Sequence, residues 1–152
     1  MIDPRTSIAS RLTTTGRSDF LALLLRVARA DEVSPAERDR LGPVAAWMKA
    51  EESELTRAIQ RADDMSLQLS DLVVSFQRLD DRYLLFRECC AVVWVDGRCS
   101  GEEADLLERL ATVLDIDEEP RQVMDSPLAC SPEGERRFLE MLALTYEAPG
   151  FS

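Results

Sequence analysis

The chain has 152 residues, 45% of them hydrophobic, and a formal net charge of −11 with no histidine. That length is enough for one self-sufficient hydrophobic core. The negative charge repels nucleic acid, and the missing histidine removes both the usual general base and a common zinc ligand, so hydrolase triads and ordinary zinc sites have no candidate here.

No apolar run reaches the roughly 18–20 residues that a membrane-spanning helix needs. The most apolar stretch starts at Phe20 and is interrupted by Arg26 and Arg29. The N-terminal segment MIDPRTSIASRLTTTGRSD lacks the apolar middle of a signal peptide, so a cytoplasmic protein without membrane insertion is expected. Cys89, Cys90, Cys99 and Cys130 show no CxxC spacing and no disulfide framework. The adjacent pair Cys89–Cys90 reads as two small core residues, with a soft-donor site as the competing reading.

Strand signals are nearly absent, and apolar residues recur three and four apart. In chain order, the segment before Ser18 reads as one short helix, followed by an apolar helix that begins near Phe20 and ends at Asp31. A helix over 35–48 comes next, with Pro43 inside it, where the missing N–H and the ring should kink or split it. Ser53–Ala62 follows as a helix. Ser70–Leu79 is the next, leading to an Asp80-Asp81 turn and a long helix over 82–95. A helix with Leu107, Leu110 and Leu114 on its buried stripe comes after Ser100, then a short one over Asp117–Asp125 with Pro120 in its first turn. Ser131-Pro132-Glu133 caps a last helix over about 131–148.

The middle of this list repeats. Phe20, Leu21, Leu24, Leu25, Val27, Ala28 and Ala30 precede Asp31 at the spacing with which Leu85, Phe86, Cys89, Cys90, Val92, Val93 and Val95 precede Asp96. Ser34-Pro35-Ala36-Glu37 then corresponds to Ser100-Gly101-Glu102-Glu103, and Leu41, Val44, Ala45 and Met48 to Leu107, Leu110, Ala111 and Leu114. Each copy is helix, acidic turn, helix, and the copies lie about 66 residues apart. In Ser-x-x-Glu the serine oxygen accepts from the N3 amide while the glutamate reaches back to the serine amide, a capping box. Gly97 suits the left-handed residue that ends a helix, and the first copy is one residue shorter there. The expected architecture is all-α: one compact bundle of about seven to nine helices with an internal pseudo-twofold duplication, repeat 1 over about 18–62 and repeat 2 over about 82–125.

Val95-Asp96-Gly97-Arg98-Cys99-Ser100-Gly101-Glu102-Glu103, followed by Leu106, Leu107, Leu110, Ala111, Leu114 and Ile116, resembles the TerB tellurite-resistance family. Its members carry Asp-Gly, two variable residues, Ser, another variable residue and Glu-Glu, then an apolar helix ending in a turn like Leu-Gly-Leu. Here Leu114-Asp115-Ile116 lacks that glycine, and Ala30-Asp31-Glu32-Val33-Ser34-Pro35-Ala36-Glu37 looks like a first copy in which Ala36 replaces one glutamate. The resemblance covers roughly residues 18–125. It implies a non-enzymatic, all-α stress-response protein, with metal held by the acidic motifs and with protein partners.

On that reading Asp31, Glu37, Asp96 and Glu103 are the candidate ligands. All four are oxygen donors, which suits Ca²⁺ or Mg²⁺ rather than a soft metal, and no organic cofactor is implied. Capping alone competes with this reading. It explains the Ser/Glu pairs, but less well the aspartates, because a negative charge at a helix C-terminus opposes the macrodipole. The acidic run Asp115, Asp117, Glu118 and Glu119 reads as a solvated helix start. A metal-independent helical adaptor is the alternative function. For it Trp94, which aligns with Arg29 and so lies off the shared apolar stripe, is the candidate contact for an unidentified protein partner.

Overall fold

The structure is a computed structural model that describes residues 4–28, 35–94, 99–127 and 131–145, without the side chains of 4, 6, 7, 35–41 and 145. Nine helices and no strand lie among the described residues: α1 (Pro4–Arg11), α2 (Thr14–Ala28), α3 (Pro35–Met48), α4 (Glu52–Asp63), α5 (Leu69–Leu72), α6 (Leu79–Trp94), α7 (Gly101–Val113), α8 (Glu118–Met124) and α9 (Pro132–Thr145).

The duplication is visible in how the helices pack. α1 lies against α3 and α6, and α5 lies against α7 and α2. α2 packs on α3 and α7, and α6 on α7 and α3, while α2 and α6 cross each other at the centre. Exchanging α1 with α5, α2 with α6, α3 with α7 and α4 with α8 maps these packings onto one another. α9 stands outside the exchange and rests on α6, α8 and α1.

The helix ends repeat as closely as the helices. At the end of α3 the Ala50 amide donates to the Ala45 carbonyl and the Lys49 amide to that of Ala46, both at 3.1 Å. At the end of α7 the Ile116 amide donates to Ala111 at 3.0 Å and the Asp115 amide to Thr112 at 3.1 Å. Both are Schellman caps, which need a left-handed residue in the first position past the cap. Lys49 and Asp115 supply it, each with φ 55°. The turn that lacks its glycine in the sequence therefore keeps the glycine conformation.

The core is built around α2 and α6. Phe20, Leu23, Leu24 and Val27 meet Leu85, Phe86, Cys89 and Val93, all fully buried. The Phe20 ring touches Trp47 and Phe76 edge-on, each with ring centroids 6.1 Å apart, which joins α2 to α3 and to the segment after α5. α4 runs alongside α2: Arg17 donates to Glu54 (2.8 Å), Arg61 pairs with Asp19, and Arg26 reaches the carbonyls of Ala62, Asp64 and Leu67 at the far end.

Two expectations are corrected. Ser70–Leu79 is not one helix: α5 stops at Leu72 and the chain turns through Val73 to place Phe76 in the core. Asp71 caps the Gln68 amide at the start of α5 (2.7 Å), and the β-branched pair Val73-Val74, poor helix formers, stands where the helix ends. Asp80 and Asp81 are not a turn but the first turn of α6, where carboxylates complement the helix dipole. Pro43, in turn, does not split its helix: α3 runs from Pro35 to Met48 with Pro43 exposed.

Asp80 and Asp81 are both buried, and both accept from Arg11 Nη2, at 3.0 and 2.9 Å. Burial pushes the Asp81 carboxyl up to about 6, with Arg11 opposing the rise and Asp80 adding to it. Because this folded-state value lies above the unfolded one, the folded protein holds the extra proton between about pH 4 and 6, and stability falls as pH rises through that window. Asp81→Asn should flatten this part of the slope. Urea melts at pH 4 and pH 7 should show the variant gaining up to about 3 kcal/mol relative to wild type on going to pH 7. Equal slopes for both proteins would refute the assignment.

A second outcome follows from the paired caps. A left-handed residue with a side chain costs roughly 1–2 kcal/mol, less for aspartate than for lysine. Lys49→Gly and Asp115→Gly should each stabilise the fold by about 0.5–1 kcal/mol net of glycine's own entropy, Lys49→Gly more. Thermal melts of the two variants give the comparison.

Candidate functional site

The second acidic turn joins α6 to α7, and its described flanks are Trp94 and Cys99–Glu103. Ser100 has extended backbone (φ −73°, ψ 165°) and is the N-cap of α7. Its hydroxyl accepts from the Glu103 amide (3.1 Å), and Glu103 Oε1 accepts from the Ser100 amide (3.0 Å). The capping box read from Ser-x-x-Glu is therefore present in both directions.

Glu103 does more than cap. Its residue is only 4% exposed, and its second carboxylate oxygen, Oε2, is buried without a hydrogen-bond partner. Leaving a buried acceptor unsatisfied costs about 1–3 kcal/mol, more when it is charged. Close by, the Cys99 thiol is pushed up to about 11, first by burial and then by the carboxylates of Glu103 and Asp125. Asp125, the C-cap residue of α8, accepts from Trp94 Nε1 at 2.8 Å. Trp94 is half-buried against the edge of the core.

Of the four carboxylates named as ligands, Glu103 is the one whose side chain is described. Asp31 and Asp96 lie outside the described residues, as does the side chain of Glu37. Among the described residues no cluster of three or more Cys, Asp or Glu side chains could hold a metal. The donors present on the α7 side fit a hard cation better than a soft one, since Glu103 offers a carboxylate oxygen without a donor while the Cys99 thiol keeps its proton. The same holds for Cys89 and Cys90, which are fully buried, with thiols raised far above their ordinary value by desolvation.

Asp125 was missed from sequence because it sits outside both motif copies. Its only signal is its position at the end of the short helix α8, where a tryptophan at the end of α6 can reach it. The first unit makes the corresponding link differently: Arg26 of α2 donates to carbonyls at the end of α4, at 2.6 Å to Asp64 and 2.7 Å to Leu67.

Two four-helix units whose packings interchange, the second with a capping box after its acidic turn, define a duplicated all-α domain. The model of the family described as tellurite resistance protein TerB matches residues 17–125, and the chain belongs to that family. The match includes α2 through α8, apart from the first turn of α2, and leaves α1 and α9 outside. No curated protein and no solved structure matches the chain significantly. TerB is not generally a family of classical enzymes. Among the described residues no helix is long and apolar enough to cross a membrane.

Ser100→Ala removes one side of the capping box and leaves the core untouched. It should cost about 1 kcal/mol, read from a urea or thermal melt. A melt that superimposes on wild type would show that the serine hydroxyl adds nothing at this helix start.

Proposed function

We propose that this protein is a non-enzymatic stress-response protein of the tellurite-resistance type that binds a divalent cation, Ca²⁺ or Mg²⁺, at its acidic inter-helix turns. Asp31, Glu37, Asp96 and Glu103 would supply the carboxylate oxygens. The observation that carries this reading is Glu103 Oε2, a buried carboxylate oxygen without a donor, at the edge of the turn that contains Asp96. A cation there would offset the desolvation of that oxygen and the repulsion among neighbouring carboxylates. The thiols, protonated and buried or half-buried, support a hard rather than a soft ion.

The alternative is an adaptor that needs no ion. The half-buried indole of Trp94 favours it, since partly exposed tryptophan is enriched where partners dock. Its N–H is already satisfied by Asp125, so the contact it would offer is the apolar ring.

Titrating Ca²⁺ and Mg²⁺ while following backbone amide shifts separates the two. Millimolar ion should move the amides of 31–37 and 96–103 more than those elsewhere. Glu103→Gln, which keeps an acceptor for the Ser100 amide but removes the charge, should weaken binding by about tenfold. Amides that stay still at both turns would leave the adaptor reading in place.

A further inference from the structure

The second copy of the repeat buries two charges where the first buries none. Ala22 and Leu23 of α2 align with Arg87 and Glu88 of α6, and all four residues are buried. Apolar side chains therefore satisfy the shared fold at these two positions. A buried ion pair adds little stability over apolar residues of similar size, so Arg87 and Glu88 answer to something that the first copy lacks. That element is α9, which rests on α6 and has no counterpart in the exchange of the two units.

Glu135, in the first turn of α9, pairs with Arg87 of α6 and with Arg5 of α1. Glu88 meets the same two guanidiniums: Arg87 Nη1 donates to its Oε2 at 3.0 Å, and Arg5 Nε lies 3.5 Å from its Oε1. The four side chains form a closed quartet in which each arginine contacts both carboxylates. Glu88 and Arg87 are almost wholly covered, whereas the Glu135 side chain is 32% exposed and is the outermost of the four. It stands at the wall of a cavity of 330 Å³ that Arg5, Glu88 and Trp47 also line. Within the quartet, α1 and α6 supply two guanidiniums and one carboxylate, and α9 supplies the carboxylate that balances them.

We propose that Arg5 and Arg87 form a carboxylate-binding site that α9 fills in cis with Glu135, and that this contact latches α9, which opens and closes over α6 as one piece. Paired guanidiniums suit a carboxylate, because their N–H groups match its two oxygens in geometry and charge. The helix is equipped to stay helical when it lifts: Arg136–Glu140 and Arg137–Glu133 are pairs four residues apart within α9 itself. Its buried side chains, among the described residues, are Phe138 and Leu142, and the Phe138 ring lies 5.4 Å from the Arg87 guanidinium carbon. The packings that the two units share involve no part of α9, so its opening leaves them in place.

The inference is independent of the cation reading and is tested on the full chain without added divalent ion. Amide hydrogen exchange of α9 is compared with that of α2, which belongs to the shared body of the fold. Glu135→Ala should speed exchange in α9 by about tenfold or more while α2 keeps its wild-type rates. Sodium formate, small enough for the vacated place, should then slow α9 again relative to sodium chloride at the same ionic strength. Leu142→Ala should also speed α9, but without any response to formate, since it loosens the helix and leaves Glu135 in its site. Glu135→Gln keeps the shape without the charge and should show the same acceleration confined to α9, so the test does not depend on the alanine variant folding. Acceleration shared equally by α2 would mean that α9 is not a separate unit. Formate acting no better than chloride on Glu135→Ala would mean that the arginines do not form a carboxylate site. Either result overturns the proposal.

Discussion

A helix that crosses the middle of a bundle has no face to give to water, and α6 carries Asp80, Asp81, Arg87 and Glu88 into that position, each buried. Buried charges persist only when paired and hydrogen-bonded, so the elements around α6 are arranged to pair them. Arg11 at the end of α1 meets the two aspartates. Arg87 binds Glu88 at 3.0 Å, pairs with Glu135 of α9, and lies 5.4 Å from the centre of the Phe138 ring. Arg5 of α1 joins Glu88 and Glu135 into the same network. The positions of α1 and α9, the two helices outside the family match, thus follow from the charges of one central helix.

The two units answer that constraint unequally. In the first, α4 lies along α2, and its Glu54 and Arg61 take up Arg17 and Asp19. In the second, α8 has 7 residues where α4 has 12, and it reaches α6 chiefly at the end, through Trp94 and Asp125. α9 fills the remaining surface with buried Phe138 and Leu142.

Most of this was legible in the sequence where local chemistry and global packing agree. The apolar spacing around Phe20 and Leu85, the Ser100–Glu103 box and the Ser131-Pro132 cap each specify one conformation, and each is found, with Ser131 Oγ accepting from the Gly134 amide at 3.0 Å. The misreadings came where tertiary packing overrides propensity. SDLVVSFQRL has a helical pattern, but burying Phe76 against Phe20 requires the chain to turn. Asp80-Asp81 looks like a turn until Arg11, distant in sequence, is seen to pair with both carboxylates. Of the candidate site, the capping role of Glu103 could be read from spacing alone. The orphaned Oε2 could not, because its lack of a donor depends on what the rest of the fold places around it.

Cys89 and Cys90 occupy the same central helix, fully covered, and their thiols are held protonated by desolvation. Nucleophilic attack on an electrophile or an oxyanion requires a thiolate at the surface. This pair therefore takes no part in such chemistry while the core is closed, and any reagent that modifies it reports the opening of α6 from its neighbours. The cysteines act as a clock for unfolding rather than as a store of reducing equivalents.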